Sequence, residues 1–287
     1  MSEQGELLSP ADRLRQLKRS ALVGIAACIL FAIGGIAISL ASTPEMAPVA
    51  VIVPAFAITG VWLITVMTGR QIKDQLLAPL AQGLGLAYRA HPKGIFAMLP
   101  EHLLPKYSEG VGGQAWDHVT GTLDGVAFEF AELQKRKANS NFRGFMVRTA
   151  AWRDLPPFMF ADERRITSFG IERAPDRYDN MERVGSKSSP QGRTIGLWAP
   201  QGQHGAERLE PCLEAILSLE GYFGGDCRFY NAVNSAEGLF VTLETSADLF
   251  EVGGIFTAPH LLDAAMTKAR ADFDLVLGAA RKLSSPA

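Results

Sequence analysis

Two long apolar stretches near the N-terminus dominate the pattern of hydrophobic and polar positions. Residues 21–40 and 49–67 contain no Asp, Glu, Lys or Arg. Each stretch is about 20 residues long, and a helix of that length spans the ~30 Å hydrocarbon core of a bilayer. The pattern predicts a transmembrane helical hairpin over residues 21–68, preceded by a cytoplasmic tail over residues 1–20.

Basic residues flank this hairpin on its two outer sides. Two follow the second stretch, and the connecting segment 41–48 has none. Those before the first stretch are Arg13, Arg15, Lys18 and Arg19. The positive-inside rule then predicts two spans with both termini cytoplasmic. The alternative, a secretory signal cleaved after residue 41, fits less well because the first apolar run exceeds the 7–15 residues typical of signals.

Small residues recur along one side of the first stretch at steps of three and four. They are Gly24, Cys28, Ala32, Gly35 and Ser39. This spacing places them on one helix face, where a second helix can approach closely. The second span of the same chain is the expected partner, and an oligomer contact is the alternative.

The remaining 220 or so residues carry strand and helix signals that segregate along the chain and do not alternate as strict βαβ units. Residues 126–133 show period-two alternation, and Asp124-Gly125 before them is typical of a two-residue hairpin turn. A third strand is expected at 142–149, and a second hairpin around residues 234–238. Helices are expected at 211–219, with Pro211 in its first turn, and from about 259 to 283. The fold class predicted is an α+β cytoplasmic domain attached to the hairpin.

Residues 171–192 are rich in Pro, Gly, Ser and charges. They predict a polar loop or joint between a membrane-proximal α+β lobe, residues 69–170, and a second α+β lobe with the terminal helix, residues 193–287. A helix continuing out of the membrane is expected to kink or restart at Pro79.

The terminal helix carries an apolar seam with a 3.5-residue repeat. Its members are Leu262, Met266, Ala269, Phe273, Val276, Ala280 and Leu283. Such spacing is typical of a coiled-coil seam. Either the seam packs on the chain's own sheet, which is the favoured interpretation, or residues Leu262, Met266, Phe273, Val276 and Leu283 contact a helix of a second subunit or partner.

One further basic cluster lies near the first predicted hairpin. It consists of Lys135, Arg136, Lys137 and Arg143. Together with the four basic residues of the N-terminal tail, it is a candidate contact for anionic lipid headgroups or for a partner. The alternative is a solvated loop, which is the usual fate of a charge run.

Composition and motifs exclude several classes of function. The 28 Lys and Arg against 30 Asp and Glu give a net charge of −2, so no nucleic-acid surface is expected. The three cysteines lack C-x-x-C spacing, and the five histidines never pair at metal-ligand spacing. The GVGGQA at 110–115 resembles a dinucleotide fingerprint but precedes a predicted hairpin, not a helix. Glu129 and Glu132 should point to opposite faces of their strand. No catalytic, cofactor-binding or metal residue is predicted.

Several short segments together resemble a bacterial family catalogued as domain of unknown function 3137. They are Tyr88, HPKG at 91–94, DHVTGT at 117–122, FEFAE at 128–132 and NFRGF at 141–145. The resemblance covers most of the chain from Lys73 onward. It implies two N-terminal spans, a cytoplasmic α+β domain and placement in the bacterial inner membrane, and it implies no catalytic residue.

The expected function is a membrane-anchored interaction or assembly module that recruits a protein partner or self-associates at the lipid bilayer. The alternative is a domain that senses a ligand or lipid, and a large apolar pocket with a few converging polar groups would favour it. The third candidate is a membrane-tethered enzyme. Whether the chain catalyses a reaction stays open, and no catalysis is the expectation.

Overall fold

A computed structural model describes residues 10–41, 48–100, 103–104, 113–137, 140–167, 170–173, 177–178, 181–202 and 206–284. The chain forms two compact units. The helical unit contains residues 1–80 and 250–269, and the sheet unit contains residues 81–249 and 270–287.

The helical unit contains two long helices, α1 (Pro10–Ala41) and α2 (Val49–Gly83). Helix α2 is continuous through Pro54 and Pro79, so the helix does not restart at Pro79. The windows Leu14–Ser39 and Val51–Gly83 are long and apolar enough to cross a membrane, and only 11% of each is buried. A core helix of a soluble protein would be mostly buried, so the low burial distinguishes these two helices from that class.

Small residues let α1 and α2 approach closely. A Cβ placed on Gly24 would lie 3.1 Å from Ile64 Cδ1, and one on Gly60 would lie 3.0 Å from Cys28 Sγ. A Cβ on Gly35 would overlap Val53. The predicted stripe of small residues therefore meets the second helix of the same chain at Gly24, Cys28 and Gly35.

The sheet unit is built on antiparallel strands. The described strands are β1 (Ala87–Arg89), β2 (Gly113–Leu123), β3 (Val126–Lys137), β4 (Ser140–Thr149), β5 (Phe158–Asp162), β6 (Arg164–Thr167), β7 (Gly170–Arg173), β8 (Arg177–Tyr178), β9 (Met181–Ser188), β10 (Thr194–Pro200), β11 (Arg228–Ser235) and β12 (Gly238–Glu244). Ten of them form one sheet in the order β1-β2-β3-β4-β12-β11-β5-β10-β9-β8, while β6 and β7 pair separately. The helices are α3 (Ile95–Met98), α4 (Ala206–Leu217) and α5 (Leu262–Ser284), the last preceded by a 3₁₀ turn.

The local hairpins are confirmed. Asp124 and Gly125 join β2 to β3 with φ angles of 52° and 81°, as a type I′ turn requires. The third strand, β4, follows where expected. The β11–β12 connection is shorter than predicted, because Asn234 and Ser235 still pair with Leu239 and Gly238.

The predicted joint at 171–192 differs from the structure. Residues Met181–Ser188 form β9, which pairs along its length with β10. Its apolar periodicity is weak because polar side chains there make ion pairs, such as Arg183 with Glu163 and Lys187 with Glu214. The two predicted lobes contribute strands to one sheet, with β12 and β11 lying between β4 and β5, so the sheet does not divide at 171–192.

Helices α4 and α5 also show where sequence reasoning succeeds and fails. Helix α5 covers the predicted terminal helix, and Phe273 is fully buried with its ring edge-on to Tyr88 at 6.2 Å. Helix α4 begins at Ala206, so Pro211 lies inside it and not in its first turn. The proline lacks the N–H that would bond the carbonyl of Glu207.

Candidate functional site

Strand β3 carries two buried carboxylates, Glu129 and Glu132, three residues apart. The pairing of β3 with β4 runs without a register shift, so the two side chains point to opposite faces of the sheet, as predicted. Each carboxylate has its own set of partners, and the two sets form two distinct polar clusters.

The first cluster joins Glu129 to His118 and Arg148. His118 Nε2 lies 2.7 Å from Glu129 Oε1, and Arg148 Nη1 donates to Glu129 Oε2 at 3.2 Å. Arg148 Nη2 donates to the carbonyl of Glu237 at 2.8 Å, and the guanidinium lies 5.0 Å from the centre of the Phe240 ring. The arginine is thus fixed in orientation by two hydrogen bonds and an aromatic ring.

The strand register brings this trio together. Glu129 pairs directly with Arg148 across β3 and β4. On the other side, Thr120 of β2 pairs with Glu129, and His118, two residues earlier on the strand, lies on the same face next to the irregular register between Trp116 and Val119.

The environment keeps Glu129 ionised. Burial alone would raise its pKa, but hydrogen bonds and charge from His118 and Arg148 outweigh that effect. The pKa of Glu129 therefore lies below its usual value, so the group is a carboxylate near neutral pH. A carboxylate stabilised in this way is a poor general acid, and its role is to orient its two basic neighbours.

A groove of about 520 Å³ opens beside the trio. Four small or apolar residues and six polar ones line it, and most of its exposed surface is apolar. The lining residues are Thr120, Gly121, Thr122, Ala127, Phe128, Glu129, Arg148, Thr149, Ala150 and Glu237. Arg148 uses two of its five N–H groups in the bonds above, and about a third of its side chain is exposed. The groove therefore offers threonine hydroxyl and Arg148 guanidinium donors beside apolar surface, with the acidic residues Glu129 and Glu237 also in its lining.

The second cluster surrounds Glu132. Carboxylate oxygens of Asp117, Glu132 and Asp248 lie within 4.8 Å of one another, a donor set that a hard cation such as Ca²⁺ or Mg²⁺ prefers. Arg143 Nη2, however, lies 3.6 Å from Glu132 and 3.8 Å from Asp248, and Tyr88 donates its hydroxyl to Asp117. The positive charge here comes from an arginine of the chain itself, so we interpret the cluster as a structural ion-pair network.

A third polar group surrounds Arg193 and links it to residues of β5 and β11 and to Glu220. Arg193 Nη1 donates to Asp162 at 2.8 Å and to the carbonyl of Phe229 at 2.9 Å, and Nη2 donates to Glu220. Nearby, burial raises the pKa of the Cys227 thiol to about 11. A thiol of this kind is inert as a nucleophile, so the group holds strands together and is not a reactive site.

The predicted lipid-contact residues whose side chains are described have different surroundings, and their contact with lipid stays a prediction. Lys135 lies 5.9 Å from the Phe96 ring, with its pKa lowered by burial, and Arg143 belongs to the Glu132 cluster. Arg15 pairs with Asp12, and Arg19 is exposed. The side chains of Arg13, Arg136 and Lys137 lie outside the described residues.

Lys18 has an unpredicted partner. Its Nζ donates to the carbonyl of Thr257 at 2.7 Å, within the helical unit. Of the seam residues, Phe273, Val276 and Leu283 are fully buried, and Leu262 and Met266 are partly exposed. This burial favours packing within the chain for the first three, and contact of the other two with a second chain stays a prediction.

Sequence reasoning misses the trio because its members come from three strands. The sequence offers His118 only as an isolated histidine and gives no reason to single out Arg148. The usable signal is that Glu129 shares a strand face with Ala131 and Leu133, which are both buried in the structure. A charged residue there requires a partner, because burying an isolated charge is unfavourable.

Comparison with known proteins adds no relative: no family model, curated protein or solved structure matches the chain.

Proposed function

We propose that the chain is anchored in the bacterial inner membrane by α1 and α2, with both ends on the cytoplasmic side. Large apolar side chains on the outer surface of the hairpin support the anchoring. Phe31, Phe56 and Trp62 are each more than 60% exposed, which is unfavourable in water and favourable in lipid. The basic residues on both outer flanks support the orientation.

We further propose that the sheet unit binds a small ligand in the groove beside Arg148. The groove itself is the observation that carries this function, since apolar surface with a few converging polar groups is typical of ligand sites. Guanidinium and hydroxyl donors suit a carboxylate or phosphate group, and the floor around Ala127 and Ala150 suits a compact apolar body. The ligand class is therefore a small anionic amphiphile.

The interaction module is the second candidate, and contiguous exposed apolar surface would favour it. Among the described residues outside the hairpin, the exposed large apolar side chains are Met98, Phe256 and Leu261, and only Met98 belongs to the sheet unit. The groove is therefore better supported than a flat docking face on that unit.

The test uses the full chain in lipid nanodiscs and a panel of small carboxylates and phosphates, some soluble and some acyl-linked, so that metabolites and lipid headgroups are distinguished. A ligand at 100 times its Kd should raise the free energy of unfolding by about 2.7 kcal/mol. Arg148→Gln should remove most of this gain, and Ala127→Trp should do the same by filling the groove.

Arg153→Gln is the matched control, because Arg153 is exposed and does not line the groove. It should keep the full gain. If the panel contains no stabilising compound, or if Arg148→Gln and Ala127→Trp respond like Arg153→Gln, the groove is not the binding site.

A further inference from the structure

A tight turn in the helical unit displays an aromatic side chain. Thr257 N donates to the carbonyl of Gly254 at 3.1 Å, and Gly254 N donates to Thr257 Oγ1 at 2.8 Å. The two central residues of the turn have opposite environments, because Ile255 is buried whereas Phe256 is 73% exposed. The turn is thus held from both ends, with Phe256 at its outer side.

The turn is attached to the start of the first apolar stretch. Lys18 donates to Thr257 O, on the α1 face that also carries the buried residues Leu14, Ala21 and Ile25. Lys18 precedes the charge-free stretch by three residues, or about 4.5 Å along a helix. That distance lies within the headgroup layer, which is roughly 5–7 Å thick on each side of a bilayer.

We infer that the turn 254–257 is a third membrane contact, in which Phe256 inserts into the interface between headgroups and acyl chains beside α1. The inference rests on the membrane anchoring proposed above. The exposed apolar surface of α1 continues from Leu22 and Val23, which are both exposed, and the lysine that would otherwise extend toward the headgroups bonds the turn instead. Leu261, also exposed, lies four residues beyond Thr257 on the same segment.

The chemistry of the segment fits a bilayer better than a protein groove. Apolar side chains at an interface typically bury to a depth of about 5–10 Å, which a single Phe on a rigid turn can reach. The hydrogen bonds of the turn satisfy the backbone groups of Gly254 and Thr257 internally, as a low-dielectric layer requires.

The test places an environment-sensitive fluorophore on single introduced cysteines in the full chain, reconstituted in liposomes that contain lipids with a nitroxide at a shallow or deep position. Every variant also carries Cys28→Ser. The Cys28→Ser protein without an introduced cysteine, in which Cys212 and Cys227 are buried, is the control for unwanted labelling. The emission of a fluorophore attached at Phe256→Cys should shift to shorter wavelength, and it should be quenched more by the shallow than by the deep nitroxide.

Two further sites separate this inference from the anchoring itself. Phe31→Cys, in the middle of the first apolar stretch, should be quenched more by the deep nitroxide, and Met98→Cys provides a reference probe on the sheet unit. If Phe31→Cys is quenched and Phe256→Cys resembles a probe in water, the turn is not a membrane contact although the anchor stands. A blue-shifted Phe256→Cys probe without quenching means that protein covers the turn, which also overturns the inference. No quenching at Phe31→Cys overturns the anchoring.

Discussion

The helical unit exposes its large apolar side chains, whereas the sheet unit buries them. In the helical unit, Phe31 and Phe56 are exposed, and glycines such as Gly35 face the other helix. In the sheet unit, Trp198 and Phe160 are fully buried. Large aromatic residues therefore mark the outside of one unit and the inside of the other.

The difference follows from the solvent each unit requires. In water, burying apolar area stabilises a fold by about 25 cal/mol per Å², so the largest side chains go inside. In lipid the tails are as apolar as the side chains, so helices associate where small residues allow close van der Waals contact. Four sets of substitutions test this comparison.

The strongest test introduces the same charge in both units. Phe273→Asp should unfold the sheet unit, because it removes a fully buried ring, worth about 3–5 kcal/mol, and leaves a charge without a partner. Phe31→Asp should leave that unit folded and reduce membrane insertion, at a cost of about 2.5–3.5 kcal/mol. Circular dichroism and membrane fractionation measure the two effects. A Phe273→Asp variant whose sheet unit keeps its thermal midpoint would contradict the described packing of α5.

The second test adds volume between the two helices. Gly35→Leu should force α1 away from Val53, at a cost of about 1–3 kcal/mol. The readout is a disulfide between Cys28 and Gly60→Cys, where Cys28 Sγ lies 3.0 Å from the added Cβ position. The cross-link should form readily when Gly35 is retained and poorly in the Gly35→Leu variant.

Gly34→Leu is the matched control for this test, because a Cβ at Gly34 meets no atom within 4 Å. It should leave the cross-link unchanged. Equal cross-linking in both leucine variants would show that the two helices do not pack through Gly35.

The third test concerns the turn that joins β2 to β3 in the sheet unit. Gly125 has φ 81°, which a β-branched residue resists, so Gly125→Val should destabilise the sheet unit by about 1–3 kcal/mol. At this size, each kcal/mol lowers the thermal midpoint by about 2–4 °C. Gly125→Asn, which tolerates positive φ, should lose much less, and equal losses would argue against the type I′ turn.

The smallest expected effect is a dependence on pH, confined to the sheet unit. The pKa of Asp226 falls to about 2, chiefly through the hydrogen bond from the Ser246 hydroxyl. Because the folded-state pKa is depressed, its stabilisation is present above about pH 4 and is lost as the pH falls toward 2. The carboxylate is exposed, so the loss should stay below about 1 kcal/mol.

The measurement for Asp226 is the free energy of unfolding of the wild type and of Asp226→Asn. The difference between them should be largest at about pH 6, should fall as the pH drops below about 4, and should vanish only below about pH 2, where the carboxylate is protonated in the folded chain as well as in the unfolded one. A difference that is constant over this range would mean that the side chain acts through packing and not through its charge.

Features that depend on neighbours in sequence are predictable. The two helices follow from uninterrupted apolar stretches, and the β2–β3 turn follows from Asp124-Gly125 between alternating segments. The opposite directions of Glu129 and Glu132 follow from the period of a strand.

Features that depend on partners distant in sequence are not predictable in this way. The order β4-β12-β11-β5 has no local signal, and β9 lacks apolar alternation because its charges are paired across the sheet. The trio of His118, Glu129 and Arg148 requires both the β3–β4 register and the β2–β3 register. The acidic partners of Arg143 come from two other segments and also have no local signal.

The strand order also determines when the sheet can be completed during synthesis. The partner of β4 on its outer side is β12, which ends about 95 residues after β4 leaves the ribosome, or roughly 5–20 s later at typical elongation rates. Throughout that interval the edge of β4 has no strand beside it, and an unpaired edge is a template for aggregation. The nascent chain therefore exposes an aggregation-prone strand edge for longer than its locally paired hairpins suggest.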